Sequence, residues 1–155
     1  MKKLLLLSAI LLSSTIGFSQ TDKEDLDIIR AVFSKEKKML VQEYMNLQDD
    51  QANAFWPVYD QYETKRKELA TERFKIISDY AKNYEQLTDE QADNLAKRSL
   101  NNEQSFIGLQ KSFIKKFSKA VGAKNAAKFL QLENYLHVVI RKEIMEDIPY
   151  IGELD

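Results

Sequence analysis

Apolar residues recur along this chain at steps of three, four and seven, the spacing that places side chains on one face of a helix. Leu26, Ile29, Val32 or Phe33, Met39 and Leu40 mark a first face ending near Tyr44. A second line runs through Phe55, Tyr59, Tyr62, Leu69, Ile76, Tyr80 and Tyr84. A third joins Leu95, Phe106, Leu109, Phe113, Phe117 and Val121, and a fourth joins Phe129, Leu132, Leu136, Val139 or Ile140 and Ile144. No run alternates as a strand would. The pattern predicts an all-α chain of four helices, about 23–44, 49–84, 88–121 and 123–146, with short connections. Pro57 falls inside the second, where its missing N–H predicts a kink or a later true start. Gly122 stands where a left-handed cap would end the third. A helix of about 35 residues extends roughly 50 Å, which predicts an elongated helical hairpin. Such a shape leaves apolar surface open for self-association or for binding.

Two similar boxes punctuate these patterns, Leu47-Gln48-Asp49-Asp50-Gln51-Ala52 and Leu87-Thr88-Asp89-Glu90-Gln91-Ala92. In the second, the Thr88 hydroxyl can accept from the first turn while Gln91 reaches back to the N–H of Thr88. Asp89 and Glu90 put negative charge at the positive end of the helix dipole, and Leu87 can staple onto the first turns. In the first box Gln48 replaces the threonine, a weaker cap, while Leu47, Gln51 and the acidic pair remain. A degraded third copy is readable at Val121-Gly122-Ala123-Lys124-Asn125-Ala126.

The beginning of the chain reads differently. Lys2 and Lys3 precede an apolar run from Leu4 to Leu12 and then small or polar residues through Ser19. This is the pattern of an export leader over residues 1–19, cleaved near Ser19/Gln20. It is shorter than the roughly 20 apolar residues of a membrane span. The expected mature part, 20–155, reads as one helical domain. Loss of Lys2 and Lys3 lowers Lys+Arg from 23 to 21 against 24 Asp+Glu, a net charge of −3. With no cysteine, an exported fold has no disulfides and must rest on helix packing.

Leu87-Thr88-Asp89-Glu90-Gln91 reads as Leu-Thr-x-x-Gln, and with the leader and the four-helix layout the chain resembles the CpxP/Spy family. That resemblance implies a periplasmic location and a cradle-shaped antiparallel homodimer. It further implies ATP-independent chaperone or stress-sensor activity through a concave basic surface with apolar patches. Phe55-Trp56-Pro57-Val58-Tyr59, with Tyr62, Glu63 and Gln131-Leu132-Glu133-Asn134, is similar to exported helical proteins described as sigma-factor sensors.

Candidate chemistry is sparse. His137 is the only histidine, so Cys/His metal sites and Cys–His nucleophile pairs are excluded, and no glycine-rich phosphate loop is present. Glu133 and His137 share a helix face but lack the paired Glu-x-x-His of a di-iron bundle. The sequence thus predicts no enzyme, no catalytic residue, no metal and no cofactor. Two surfaces stand out instead. Tyr59, Arg66, Arg73 and Tyr80 form a seven-spaced line beside Tyr62, which reads equally as a packing seam or as an adaptable aromatic–arginine surface. From Gln104 to Leu132 there is no acid, and Lys111, Lys115, Lys116, Lys119, Lys124 and Lys128 interleave with Phe106, Phe113, Phe117 and Phe129. That stretch reads either as a core stripe backed by solvated lysines or as a basic face that attracts clients. The candidate client-binding set is Tyr59, Tyr62, Arg66, Arg73, Phe113, Lys115, Lys116, Phe117 and Lys119. The expected partners are unfolded or partly folded proteins, or alternatively a membrane sensor, together with a second copy of the chain. Export argues against nucleic acid, and an anionic membrane surface stays open.

Overall fold

The computed structural model describes residues 35–146 and 148–151, and every described segment of secondary structure is helical. The expected leader, with Leu26, Ile29, Val32 and Phe33 of the first apolar face, lies outside the described residues. The chain divides into two units, 1–40 and 41–155. In the first, residues 35–40 are helical, and Met39 and Leu40 are exposed. The sequence pattern assigns them to an inner face. The helix (α1) is described over 35–45, and in the second unit its Val41 and Met45, one turn apart, belong to that unit's core. The second unit continues with α2 (Asp49–Asn83), a 3-10 turn (Tyr84–Gln86) and α3 (Asp89–Glu146).

Each junction has a local cause. Asn46 takes a positive φ of 45° and its N–H donates to the Gln42 carbonyl at 3.1 Å, ending α1 with a residue that tolerates the left-handed region. Gln48 provides no side-chain cap to α2, as its side chain predicts, and Asp49 and Asp50 stand in the first turn. Pro57 neither delays nor divides α2, which starts at Asp49 and runs through it. Pro57 and Asn53 are both exposed, so water can satisfy the Asn53 carbonyl that loses its N–H partner. Before α3 the capping box is reciprocal: Gln91 N–H donates to Thr88 Oγ1 at 3.3 Å and Thr88 N–H donates to Gln91 Oε1 at 3.0 Å.

Within α3, Gly122 has φ 81° and ψ 156°. This is the extended positive-φ region open essentially to glycine alone, rather than the left-handed helical cap that the sequence suggests. It separates a first arm, 89–121, from a second, 123–146. Contacts across the break bracket it evenly: Phe117 meets Phe129, Gln110 meets Asn134, Phe106 meets His137 and Glu103 meets Arg141. The second arm therefore runs back along the first. The 3-10 turn does the same for α2, whose Phe55 meets Phe117, Tyr62 meets Phe113, Leu69 meets Asn102 and Asp79 meets Arg98.

The core forms where these segments meet. Phe55, Tyr59 and Tyr62 come from α2, Phe113 and Phe117 from the first arm, and Phe129 from the second. Phe117 and Phe129 centroids lie 4.5 Å apart, and Phe55 lies 5.2 Å from Phe117 and 5.3 Å from Phe129. Such ring pairs contribute about 0.5–1.5 kcal/mol each beyond the area they bury. Leu47 packs against this cluster from outside.

Candidate functional site

The residues singled out by sequence separate into three environments. Tyr59, Tyr62, Phe113 and Phe117 are buried in the aromatic core and present no surface to a client. Burial, with Glu133 and Glu63 nearby, pushes the phenols of Tyr59 and Tyr62 well above the ordinary tyrosine range. Arg66 is held by Glu63 at 2.7 Å, with both side chains largely buried. Burial opposes its charge, but Glu63 and Glu133 outweigh that and hold the guanidinium protonated. Lys115, Lys116 and Lys119 are exposed, and Lys116 Nζ sits 4.4 Å from the Phe113 ring centroid. Lys128 instead turns inward and donates to the Met45 carbonyl at 3.1 Å.

The seven-spaced line of α2 packs against both arms of α3 and the segment after it: Tyr59 meets Phe129, Arg73 meets Asn102, Glu103 and His137, and Tyr80 meets Pro149. Its centre is Arg73. The Arg73 guanidinium lies 4.4 Å from the Phe106 ring centroid and donates to Asn102 Oδ1 at 3.2 Å and to Glu103 Oε1 at 2.9 Å. Its Nη1 lies 3.2 Å from His137 Nε2. Arg141 Nη1 reaches the same Glu103 oxygen at 2.6 Å. Two guanidinium groups thus share one carboxylate. His137 adds no charge at neutral pH, because burial first and Arg73 second lower its pKa below the ordinary histidine value. The cluster carries a net charge near +1. Four residues earlier Glu133 faces Tyr62, whose hydroxyl donates to it at 3.0 Å, so this Glu and His serve different partners.

Beside the cluster is a cavity of about 370 Å³. Ile76, Ile77, Ile144 and Met145 line its apolar part, Arg73 and Arg141 its charged end, and residues 148–151 one side. The Tyr80 hydroxyl donates to the Pro149 carbonyl at 2.7 Å and holds that side in place.

A second surface lies along the outer edge between the two arms of α3. The Glu103–Arg141 and Gln110–Asn134 bridges fix their register. Ile107 falls between Glu103 and Gln110, and Val138 between Asn134 and Arg141, so the two flank one level of the edge. Leu100 and Met145 flank the level seven residues away on each arm. All four are open, at 50% for Ile107, 63% for Val138, 69% for Leu100 and 48% for Met145. Of the neighbouring cations, Lys111 is exposed, Arg141 bonds Glu103 at 2.6 Å and Lys142 pairs with Glu146 at 2.7 Å.

No family model matches the chain, and neither curated proteins nor solved structures give a match. Among the described residues no helix is long and apolar enough to cross a membrane, and no group of three His, Cys, Asp or Glu side chains could hold a metal ion.

Sequence reading did not single out Asn102, Glu103, Arg141 or the ladder. Asn102 carried a readable signal: it stands midway on the seven-spaced line between Leu95 and Leu109, where a polar residue fixes register. It is buried, receives Arg73 and donates to the Leu69 carbonyl at 2.9 Å. Glu103 and Arg141 look like ordinary solvated charges in sequence. Only the reversal at Gly122 brings them together.

Proposed function

We propose that this protein is an exported, non-enzymatic binding protein of the periplasm. It captures exposed apolar segments of unfolded or partly folded proteins without ATP, as a chaperone or envelope-stress factor working as an antiparallel homodimer. The observation that carries the reading is the open ladder of Leu100, Ile107, Val138 and Met145. Exposed apolar surface of this kind, bordered by charge, suits reversible contact with apolar segments. The lysines at 111, 115, 116 and 119 supply a field that speeds encounter with acidic clients. The leader pattern of residues 1–19 and the Leu-Thr-x-x-Gln box support the location and the class.

The test is suppression of aggregation. The chain should keep several unrelated denatured proteins in solution at near-stoichiometric amounts, more strongly at low salt than at high salt, because exposed charge is screened. Indifference to all such clients, with capture of one membrane protein, replaces this reading with the sensor.

A further inference from the structure

We propose that the cavity beside Arg73 and Arg141 binds a medium-chain aliphatic carboxylate, its chain against the isoleucines and its carboxylate at Arg141. This site borders the apolar ladder, sharing Met145 with it and using Arg141 beside it, but it does not depend on the chaperone reading. Three features on the molecule define the ligand.

The first is charge. Arg73 and Arg141 both donate to Glu103 Oε1, at 2.9 and 2.6 Å, and no second carboxylate joins them among the described residues. Arg141 uses only Nη1 there, so its Nε and Nη2 have no hydrogen-bond partner among the described residues. A guanidinium fork with two unused donors at a cavity end is suited to a carboxylate, which it can hold through parallel bonds. The imidazole of His137 stays neutral beside Arg73 and does not add charge at neutral pH. Among the described residues, Arg73, Arg141 and Glu103 sum to one unit of positive charge, which favours a monoanion over a phosphate dianion.

The second is the character of the walls. Ile76 and Ile77 from α2 and Ile144 from the second arm offer branched aliphatic surface without a polar side-chain atom. Polar side chains in the lining are Arg73, Arg141, Asn102 and Glu103, then Ser99, and on the 148–151 side Tyr150 and Tyr80, the last already donating to the Pro149 carbonyl. Arg73 and Arg141 are the only cations in the lining, so an anionic amphiphile is oriented with its head group toward them.

The third is size. At about 370 Å³ the cavity lies at the lower end of ligand-sized pockets and is partly open to solvent. Decanoate is a small amphiphile suited to probing it.

Isothermal titration of the full-length chain with decanoate, below its micelle concentration, tests this directly. One-to-one binding is expected. 1-Decanol has the same chain without the charge and should bind at least about tenfold more weakly, the scale of losing a charge-assisted pair. Arg141→Gln should bring decanoate down toward decanol while Arg141→Lys restores part of the difference. Ile77→Trp, which fills the chamber, should abolish binding of both ligands, with circular dichroism showing that the variant remains helical. The assignment is overturned by absence of decanoate binding, by equal affinity for decanoate and decanol, or by an Arg141→Gln variant that binds decanoate as the parent does. It is also overturned if a short peptide ending in a free isoleucine carboxylate binds more tightly than decanoate and its amide does not, since the site then reads chain termini.

Discussion

The Tyr62 hydroxyl donates to Glu133 Oε2 at 3.0 Å, a buried bond that ties α2 to the second arm of α3 across 71 positions of sequence. A buried carboxylate is tolerable only while donors surround it. Tyr62→Phe keeps the ring in the aromatic core and removes only the donor. The variant should lose about 1–3 kcal/mol of stability, read from the midpoint of urea unfolding with an unchanged slope.

Gly122 is the other point on which the arrangement turns. A methyl group there meets no atom within 4 Å, so Gly122→Ala isolates the backbone cost of a positive φ of 81°. The expected destabilisation is about 1–3 kcal/mol. Gly108, in the helical first arm and equally open, is the control: Gly108→Ala should stabilise by up to about 1 kcal/mol. Both values come from thermal or urea unfolding of the same preparation.

His137 gives the fold a dependence on pH of known sign. Its folded pKa lies below the ordinary value near 6.5, mainly because burial and Arg73 disfavour the cation. The unfolded chain therefore binds more protons as pH falls through about 6.5. Stability contributed by the neutral imidazole is full above that pH and declines toward the lower folded value. A melting series from pH 7.5 to 5 should show this decline in the parent and lose that component in His137→Gln. As the chain has one histidine, no other imidazole can account for the difference.

The helical elements could be read from the sequence because each leaves a periodic apolar line and a local signal at its end. Thr88 and Gln91 announce the start of α3, and Asn46 and Gly122 sit at breaks with positive φ. Pro57 misleads, since its cost depends on whether water reaches the Asn53 carbonyl, and exposure is a property of the folded molecule. The candidate site was less legible for the same reason. Tyr59, Tyr62, Phe113 and Phe117 have the composition of a binding surface, but they come from two lines that converge with a third at Phe129, and convergence buries them. Arg66 and Arg73 are consumed by Glu63 and Glu103, one near in sequence and the other 30 positions away. Leu100 and Ile107 are seven apart and lie off the inner line, so periodicity alone gives them no role.

The most direct measurement is aggregation suppression by Ile107→Ser/Val138→Ser against the parent, with sedimentation and melting recorded on the same samples. Both side chains are at least half exposed, so stability should change by no more than about 0.5 kcal/mol per site. A severalfold loss of suppression, at unchanged melting temperature and unchanged oligomeric state, is the result expected if the ladder holds clients. Full suppression by the double variant contradicts that role, and loss accompanied by dissociation shows the ladder to be a seam between copies.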